Sequence, residues 1–395
     1  MLRAWQYAAD GSRDLRIDWL RGLAMICVIV DHSKLQSLLS WFSYERFWTV
    51  TAAEVFVVLS GAVLGMVYGN KLRRGDWRAV VGGLSKRALT LWLAFVAVTL
   101  SVVVLALCGV DVHALTMWGD GDGVVELIDP HRVDAAALRD IVLMRSGLGT
   151  FEIVALYVWL VLAAIPCLLA LRYTGWRPLV VVSWAVYLLY RIAPHALTAG
   201  HFETTFPILV WQLLFVHGIT IGYERERIQR FVAHAPRVLP TAAIATSAIF
   251  IVFALCNPWT DGPKMLRWTV VSEERFTDLY WRYFSLSDLG IGRLLNLAAA
   301  LPVGYALLTT FWKLASPVGR VLITLGQQSL GAFVLHVYAI LLIAHLPLAD
   351  VNGFWINTLL QVSMILGIAG VLAAIKRRPG RRTPTTIGRL HPAPV

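Results

Sequence analysis

Blocks of about 20 apolar residues, the length a helix needs to cross the hydrocarbon of a bilayer, recur from one end of this chain to the other. No single motif constrains the fold as strongly. A backbone in lipid must satisfy its own hydrogen bonds, so the blocks are expected as helices, and the residue-by-residue alternation of a membrane barrel is absent. The blocks place spans at 17–39, 49–69, 87–109, 151–171, 177–197, 206–222, 237–256, 288–311, 321–345 and 354–375. The fold class is therefore all-α: a polytopic integral membrane helical bundle of about ten transmembrane helices. With 58% hydrophobic and only 15% charged residues and a mean hydropathy of +0.67, one membrane domain over 17–375 fits the 395 residues better than a string of soluble domains.

The net charge of +11 is distributed as a topology device. Lys71, Arg73, Arg74, Arg78, Lys86 and Arg87 crowd one connection, and Lys376, Arg377, Arg378, Arg381, Arg382 and Arg389 crowd the tail. The opposite connections collect Asp111, Asp120, Asp122, Glu126, Asp129, Glu273, Glu274 and Asp278. By the positive-inside rule both termini are cytoplasmic, with 1–16 a short N-terminal segment and 376–395 a basic, disordered tail. This pattern argues for a lipid bilayer and against nucleic acid as the partner of the basic charge. The first span has no small-residue cleavage site and is expected to be retained. Cys27, Cys108, Cys167 and Cys256 lie in apolar stretches and read as free thiols, and the ten histidines show no metal-ligand spacing.

Ionisable groups inside spans are costly, so each is a functional candidate. Arg21 and His32 stand 11 residues apart, about 20° beyond three full turns, so they share one face of the first span roughly 16 Å apart. Asp18 lies near the same stripe and Asp31 adjoins His32. Glu54, Gln212, Asn296, His336 and Gln361 are expected at the level of His32, which suggests a polar chamber opening outward; the three amides are equally suited to bonding helices together. Near the inner boundary Arg21, Lys86, Arg87 and Arg320 suit an anion such as a nucleotide phosphate, although the last three also serve as positive-inside anchors. Two long outer connections, about 110–150 and 257–287, carry Trp118, His131, Trp259, Trp268, Tyr280, Trp281 and Tyr283, which suit either sugar binding or interfacial belts.

An imidazole beside a carboxylate is a competent general base for a hydroxyl. Acyl transfer from a thioester asks for that base, an oriented donor and a polar group near the developing oxyanion. Phosphates held at Arg21 with a pantetheine arm reaching His32 fit the spacing, with Asp31 and Glu54 as the supporting carboxylates. The rival is a proton-coupled transporter using Asp31, His32, Glu54 and His336 as a relay, against which no repeat relates two halves of the chain.

The arginine, ten residues, histidine spacing of Arg21 and His32 resembles the signature of the acyltransferase-3 superfamily. More narrowly, RDLRIDWLRGLAMICVIVDH with AAEVFVVLSGAVLGMVYG resembles OpgC-type proteins, as do FEIVALYVWLVLAAIP, VWQLLFVHGITIG and LGQQSLGAFVLHVYAILL. The resemblance runs over about 13–375. It implies a bacterial inner-membrane, multi-pass O-acyltransferase that moves a succinyl group from succinyl-CoA, a co-substrate rather than a tightly bound cofactor, to hydroxyls of an osmoregulated periplasmic glucan or another exported polysaccharide. By the same resemblance His32 is the catalytic histidine and Arg21 its paired arginine, with Glu54, Ser60 and Gly61 in the second-span motif. Trp211, Gln212 and Glu152 are implied on the substrate side, where His336 is also placed. A succinyl carboxylate would need a cation, for which Arg293 or Arg191 is the candidate. Two places depart from the family's pattern: the segment HFETTFPI differs from its Asn-Pro segment, and His336 stands where OpgC-type proteins often lack a histidine that wider superfamily members have.

Overall fold

The computed structural model describes residues 14–43, 45–118, 125–130, 132–260, 263, 266–346 and 353–377. Apart from a two-residue antiparallel pairing of Met117–Trp118 with Val125–Glu126, the described elements are helical. The long ones are α1 Leu15–His32, α2 Ala52–Arg73, α3 Trp77–Leu107, α4 Ile153–Tyr173, α5 Trp176–Ile192, α6 Ile208–Tyr223, α7 Val238–Leu255, α8 Ile291–Thr310, α9 Trp312–Gln327, α10 Ser329–Ala344 and α11 Phe354–Arg377. Six helical stretches, those of α2, α3, α4, α7, α8 and α11, are long and apolar enough to cross a membrane, and the chain is a membrane protein. The pair α9 and α10 passes the same test only together, bent by 91°.

Three helices differ from the expected spans. The first begins where the Asp14 side chain accepts from the Arg16 N–H at 3.0 Å and stops at His32, seven residues before the end of the apolar block. It stops because Ser33 Oγ donates back to the Val30 carbonyl at 2.7 Å and Lys34 takes a φ of 51°. His32 is thus the last residue of its helix rather than a mid-span group. The third helix begins at Trp77, capped by the Asp76 carboxylate on the Ala79 N–H, so Lys86 and Arg87 lie within a helix and not in a connection. The span expected over 321–345 is broken at Gln328. The polar run Gln327, Gln328, Ser329 occupies the break, and its groups reach neighbouring helices: Gln328 Nε2 donates to the Leu372 carbonyl at 3.1 Å and Ser329 Oγ accepts from Arg21 at 2.7 Å.

Small residues set the closest packing. On α2, Gly61 and Gly65 face Gly218 and Gly222 of α6; a Cβ on Gly65 would stand 2.1 Å from the Ile219 carbonyl oxygen, and one on Gly222 2.0 Å from that of Ala62. The same device joins α1 to α9, where a Cβ on Gly22 would meet the Leu322 carbonyl oxygen at 1.8 Å. Two small residues four apart let helix backbones touch, which is how helices associate where lipid supplies no hydrophobic drive. Gly65→Val is therefore expected to cost about 3 kcal/mol or more, because a backbone carbonyl cannot swing aside; a thermal melt of the purified protein checks this, with Gly82→Ala, where no atom stands within 4 Å of the added carbon, as the near-neutral control.

The expected tail loses its first two residues to α11, where Lys376 Nζ donates to Gln327 Oε1 at 2.9 Å. Residues 378–395, residues 1–13, Asp120, Asp122 and His131 lie outside the described residues. The four cysteines are free thiols.

Candidate active site

The site is built where α1 meets α10. Arg21 donates to Ser329 Oγ at 2.7 Å, and 11 residues later His32 Nδ1 lies 3.1 Å from His336 Nε2. Both contacts occur in the same order along the two helices, so α1 and α10 run parallel and present one shared face. Arg21 is 5% exposed and His336 fully buried, while His32 and the adjacent Asp31 are half-buried. Between the arginine and the histidines stands a ladder of rings. The Arg21 guanidinium lies 5.1 Å from the centre of Phe56, Phe56 meets Phe333 edge-on at 5.6 Å, and Phe333 meets His336 edge-on at 5.5 Å. Tyr157 joins the same cluster against Phe56. Such edge-to-face contacts are favourable geometries for aromatic pairs, and they fill the interval that spacing alone could only measure.

Glu54 and Arg293 belong to a second, separate cluster. As the third residue of α2, Glu54 closes a capping box with Thr51, accepting from the Thr51 N–H at 3.0 Å and from its hydroxyl. Its other oxygen pairs with Arg293 Nη1. Arg293 Nη2 pairs with Glu45 and donates to Tyr280 Oη at 3.0 Å, and Nε donates to the Phe284 carbonyl at 2.5 Å. Every guanidinium nitrogen is thus engaged, two carboxyl groups share one cation, and the Arg293 side chain is 1% exposed. Arg293 has no spare charge for a succinyl carboxylate, and Arg191 is likewise paired, with Asp288. The expected roles of Glu54 at the base and Arg293 on an acyl carboxylate are not what these contacts serve: the two side chains tie α2, α8 and the connection after α1 together.

The amides act between helices. Gln212 joins α6 to α5 through Ser183, accepting from Oγ at 2.8 Å and donating to the carbonyl at 2.9 Å. Asn296 donates to Thr49 Oγ1 at 2.8 Å, and Gln361 anchors the residues just after His32 by accepting from Ser37 Oγ at 2.5 Å and donating to Ser33 Oγ at 2.8 Å. Trp211 is fully buried with its ring edge-on to Phe206, so it faces the core and not an open surface. A cavity of about 560 Å³ runs between α1 and α8, lined by apolar groups such as Leu23, Cys27, Leu301 and Leu307; His32 is not in its wall, so this space is not the polar chamber expected from sequence.

Glu152, buried at the start of α4, bonds His201 Nδ1 at 2.8 Å. That hydrogen bond raises the His201 pKa above its ordinary 6.5, against a smaller opposing effect of burial. A histidine whose pKa is raised by folding contributes stability that is complete below its unfolded pKa and lost as pH climbs through the folded one. Wild type is expected to out-melt His201→Gln most at about pH 5.5 and to converge on it toward about pH 9, since an ordinary histidine titrates near 6.5; melting curves across that range check it.

A family model described as OpgC protein matches residues 13–379, from before α1 to the end of α11. The chain belongs to the OpgC protein family. No curated protein and no solved structure matches it. Membership implies an acyltransferase-type activity that modifies a glucan.

Within this OpgC-family chain the described residues bring together Arg21, His32 and His336 at the α1–α10 face, with Asp31 turned to a different side of α1. Lys86, Arg87 and Arg320 are exposed on α3 and α9. Trp211, Gln212, Glu54 and Arg293 lie in packing positions. Sequence reasoning missed Glu45, His201, Phe56 and Phe333. Glu45 and His201 sit in connections, where spacing gives no geometry, and the two phenylalanines look like any other lipid-compatible residue until their neighbours are known.

Proposed function

We propose that this protein is a multi-pass inner-membrane O-acyltransferase with both termini cytoplasmic, moving a succinyl group from succinyl-CoA to hydroxyls of a periplasmic glucan. The observation that carries the reading is the Arg21–His32 face of α1, held against Ser329 and His336 of α10 in a chain of the OpgC family. His32 takes the proton of a glucan hydroxyl while its oxygen attacks the thioester carbonyl; the tetrahedral intermediate collapses, the carbon–sulfur bond breaks, and the proton passes from His32 to the leaving thiolate. The ester and free coenzyme A account for every atom. Exposed Lys86 and Arg87 supply charge for the donor's phosphates, and Arg21 supplies fixed positive charge deeper in. The pantetheine arm reaches His32 by displacing the packed rings of Phe56 and Phe333, which fill the interval between Arg21 and His32. On the acceptor side Trp259 and Trp281 are exposed, with ring centres 6.2 Å apart, and offer faces for sugar rings to stack on. No tightly bound cofactor or metal is needed.

Incubating the detergent-purified protein with radiolabelled succinyl-CoA and a linear β-glucan tests the reaction. Succinyl ester on the glucan is expected. Accumulation of label inside protein-containing vesicles with no ester formed would support a carrier instead.

A further inference from the structure

The two histidines are not equivalent, and their hydrogen bonds say which nitrogen does the work. His336 Nδ1 lies 2.5 Å from the Phe333 carbonyl oxygen. A carbonyl oxygen only accepts, so in the neutral ring the proton of His336 sits on Nδ1; the opposite tautomer would set two lone pairs against each other at that distance. Nε2 of His336 is then an acceptor. Its neighbour at 3.1 Å is His32 Nδ1, which must donate, and this leaves Nε2 of His32 as the lone-pair nitrogen. We propose that His336 is a positioning residue that fixes His32 in the Nδ1–H tautomer, so that Nε2 of His32 is the base in acyl transfer.

Burial assigns the roles in the same direction. His336 is 0% exposed, with its ring wedged edge-on against Phe333, whereas His32 is half-buried at the last turn of α1 and can be approached. The chain of donors runs from His32 through His336 to a main-chain oxygen, and the imidazolium formed when His32 accepts the hydroxyl proton keeps the same Nδ1–H bond to His336. No group has to reorient between the two halves of the reaction. A neutral imidazole anchored by a helix carbonyl thus takes the place that a carboxylate holds in the better-known nucleophile–histidine–aspartate arrangement. It orients without adding a second formal charge, which suits a site where an unbalanced carboxylate would be costly.

This inference rests on the reading of His32 as the base, and the tests keep the two apart. In ring-¹⁵N-histidine-labelled protein, with His32→Gln used for assignment, the His32 signals are expected to be those of a neutral ring protonated at Nδ1. A ring protonated at Nε2 overturns the inference, whatever the activity. In the labelled succinyl-CoA assay, His336→Leu is expected to lose at least about 30-fold in kcat with KM within about twofold, the pattern of an interaction that matters in the transition state. His336→Gln, whose amide oxygen can accept from His32 Nδ1, should recover most of that loss. Wild-type kcat in His336→Leu, with His32→Ala inactive, removes only the positioning role; full activity in His32→Ala removes the reading beneath it. Should His336→Leu fail to fold, the tautomer measurement on the wild-type protein still decides.

Discussion

Arg293→Ala is expected to abolish the accumulation of folded protein. The guanidinium is the only cation paired with Glu45 and Glu54 among the described residues, all three side chains are 1% exposed, and the same group holds the Phe284 carbonyl and the Tyr280 hydroxyl. Removing it strands two carboxylates in a dry interior. Breaking a buried ion pair from one side costs roughly 3–5 kcal/mol, a large share of the roughly 5–15 kcal/mol by which domains are stable, and here two partners are stranded together. The loss comes from the stranded charge rather than from the missing attraction, so neutralising the whole cluster should restore most of it. The triple change Arg293→Met, Glu45→Gln, Glu54→Gln is accordingly expected to accumulate and to melt well above Arg293→Ala. Fluorescence-detected size-exclusion chromatography of tagged variants measures both; wild-type yield and melting temperature in Arg293→Ala would refute the assignment of this cluster as structural.

The second large effect falls on activity and spares the fold. His32→Ala removes a half-buried ring at the C-terminal end of α1, where the chain is already anchored by Gln361 on Ser33 and Ser37, so the melting temperature should move little. The transfer rate should fall by about 10²–10⁴-fold, the usual worth of a positioned general base, with KM for the donor nearly unchanged because the base touches the reacting hydroxyl rather than the nucleotide. Asp31→Asn, at a residue that adjoins His32 but stands on a different side of the helix, should cost much less. An unfolded His32→Ala, or one that transfers succinate at the wild-type rate, goes against this account.

How much of this could be read from residue order depends on what sets each feature. Helix existence was legible because lipid forces one solution on an apolar block, and the Arg21–His32 face was legible because helical geometry is fixed over 11 residues. The ends were not: α1 stops at His32 through a serine side chain and a left-handed lysine, and the side chains at the break at Gln328 meet Leu372 and Arg21, partners that residue order does not show. Neither signal is visible in hydropathy. Glu54 and Arg293 show the limit most clearly. Both are ionisable groups in spans and looked functional for the same reason as His32, yet they pair directly with one another, and Glu45, a residue in a connection whose position no periodicity predicts, joins the same guanidinium. His336 was legible as a polar intruder, but only its contact with Phe333 distinguishes an orienting ring from one that meets substrate.

The central claim is that a donor on one side of the membrane and an acceptor on the other meet at His32. It is tested most directly in vesicles carrying the protein in one known orientation, with β-glucan sealed inside at the periplasmic face and labelled succinyl-CoA supplied only outside, at the cytoplasmic face. The account predicts succinyl ester on the enclosed glucan, free coenzyme A appearing outside, and neither product with His32→Ala. Ester that forms only when donor and glucan share a compartment would contradict it.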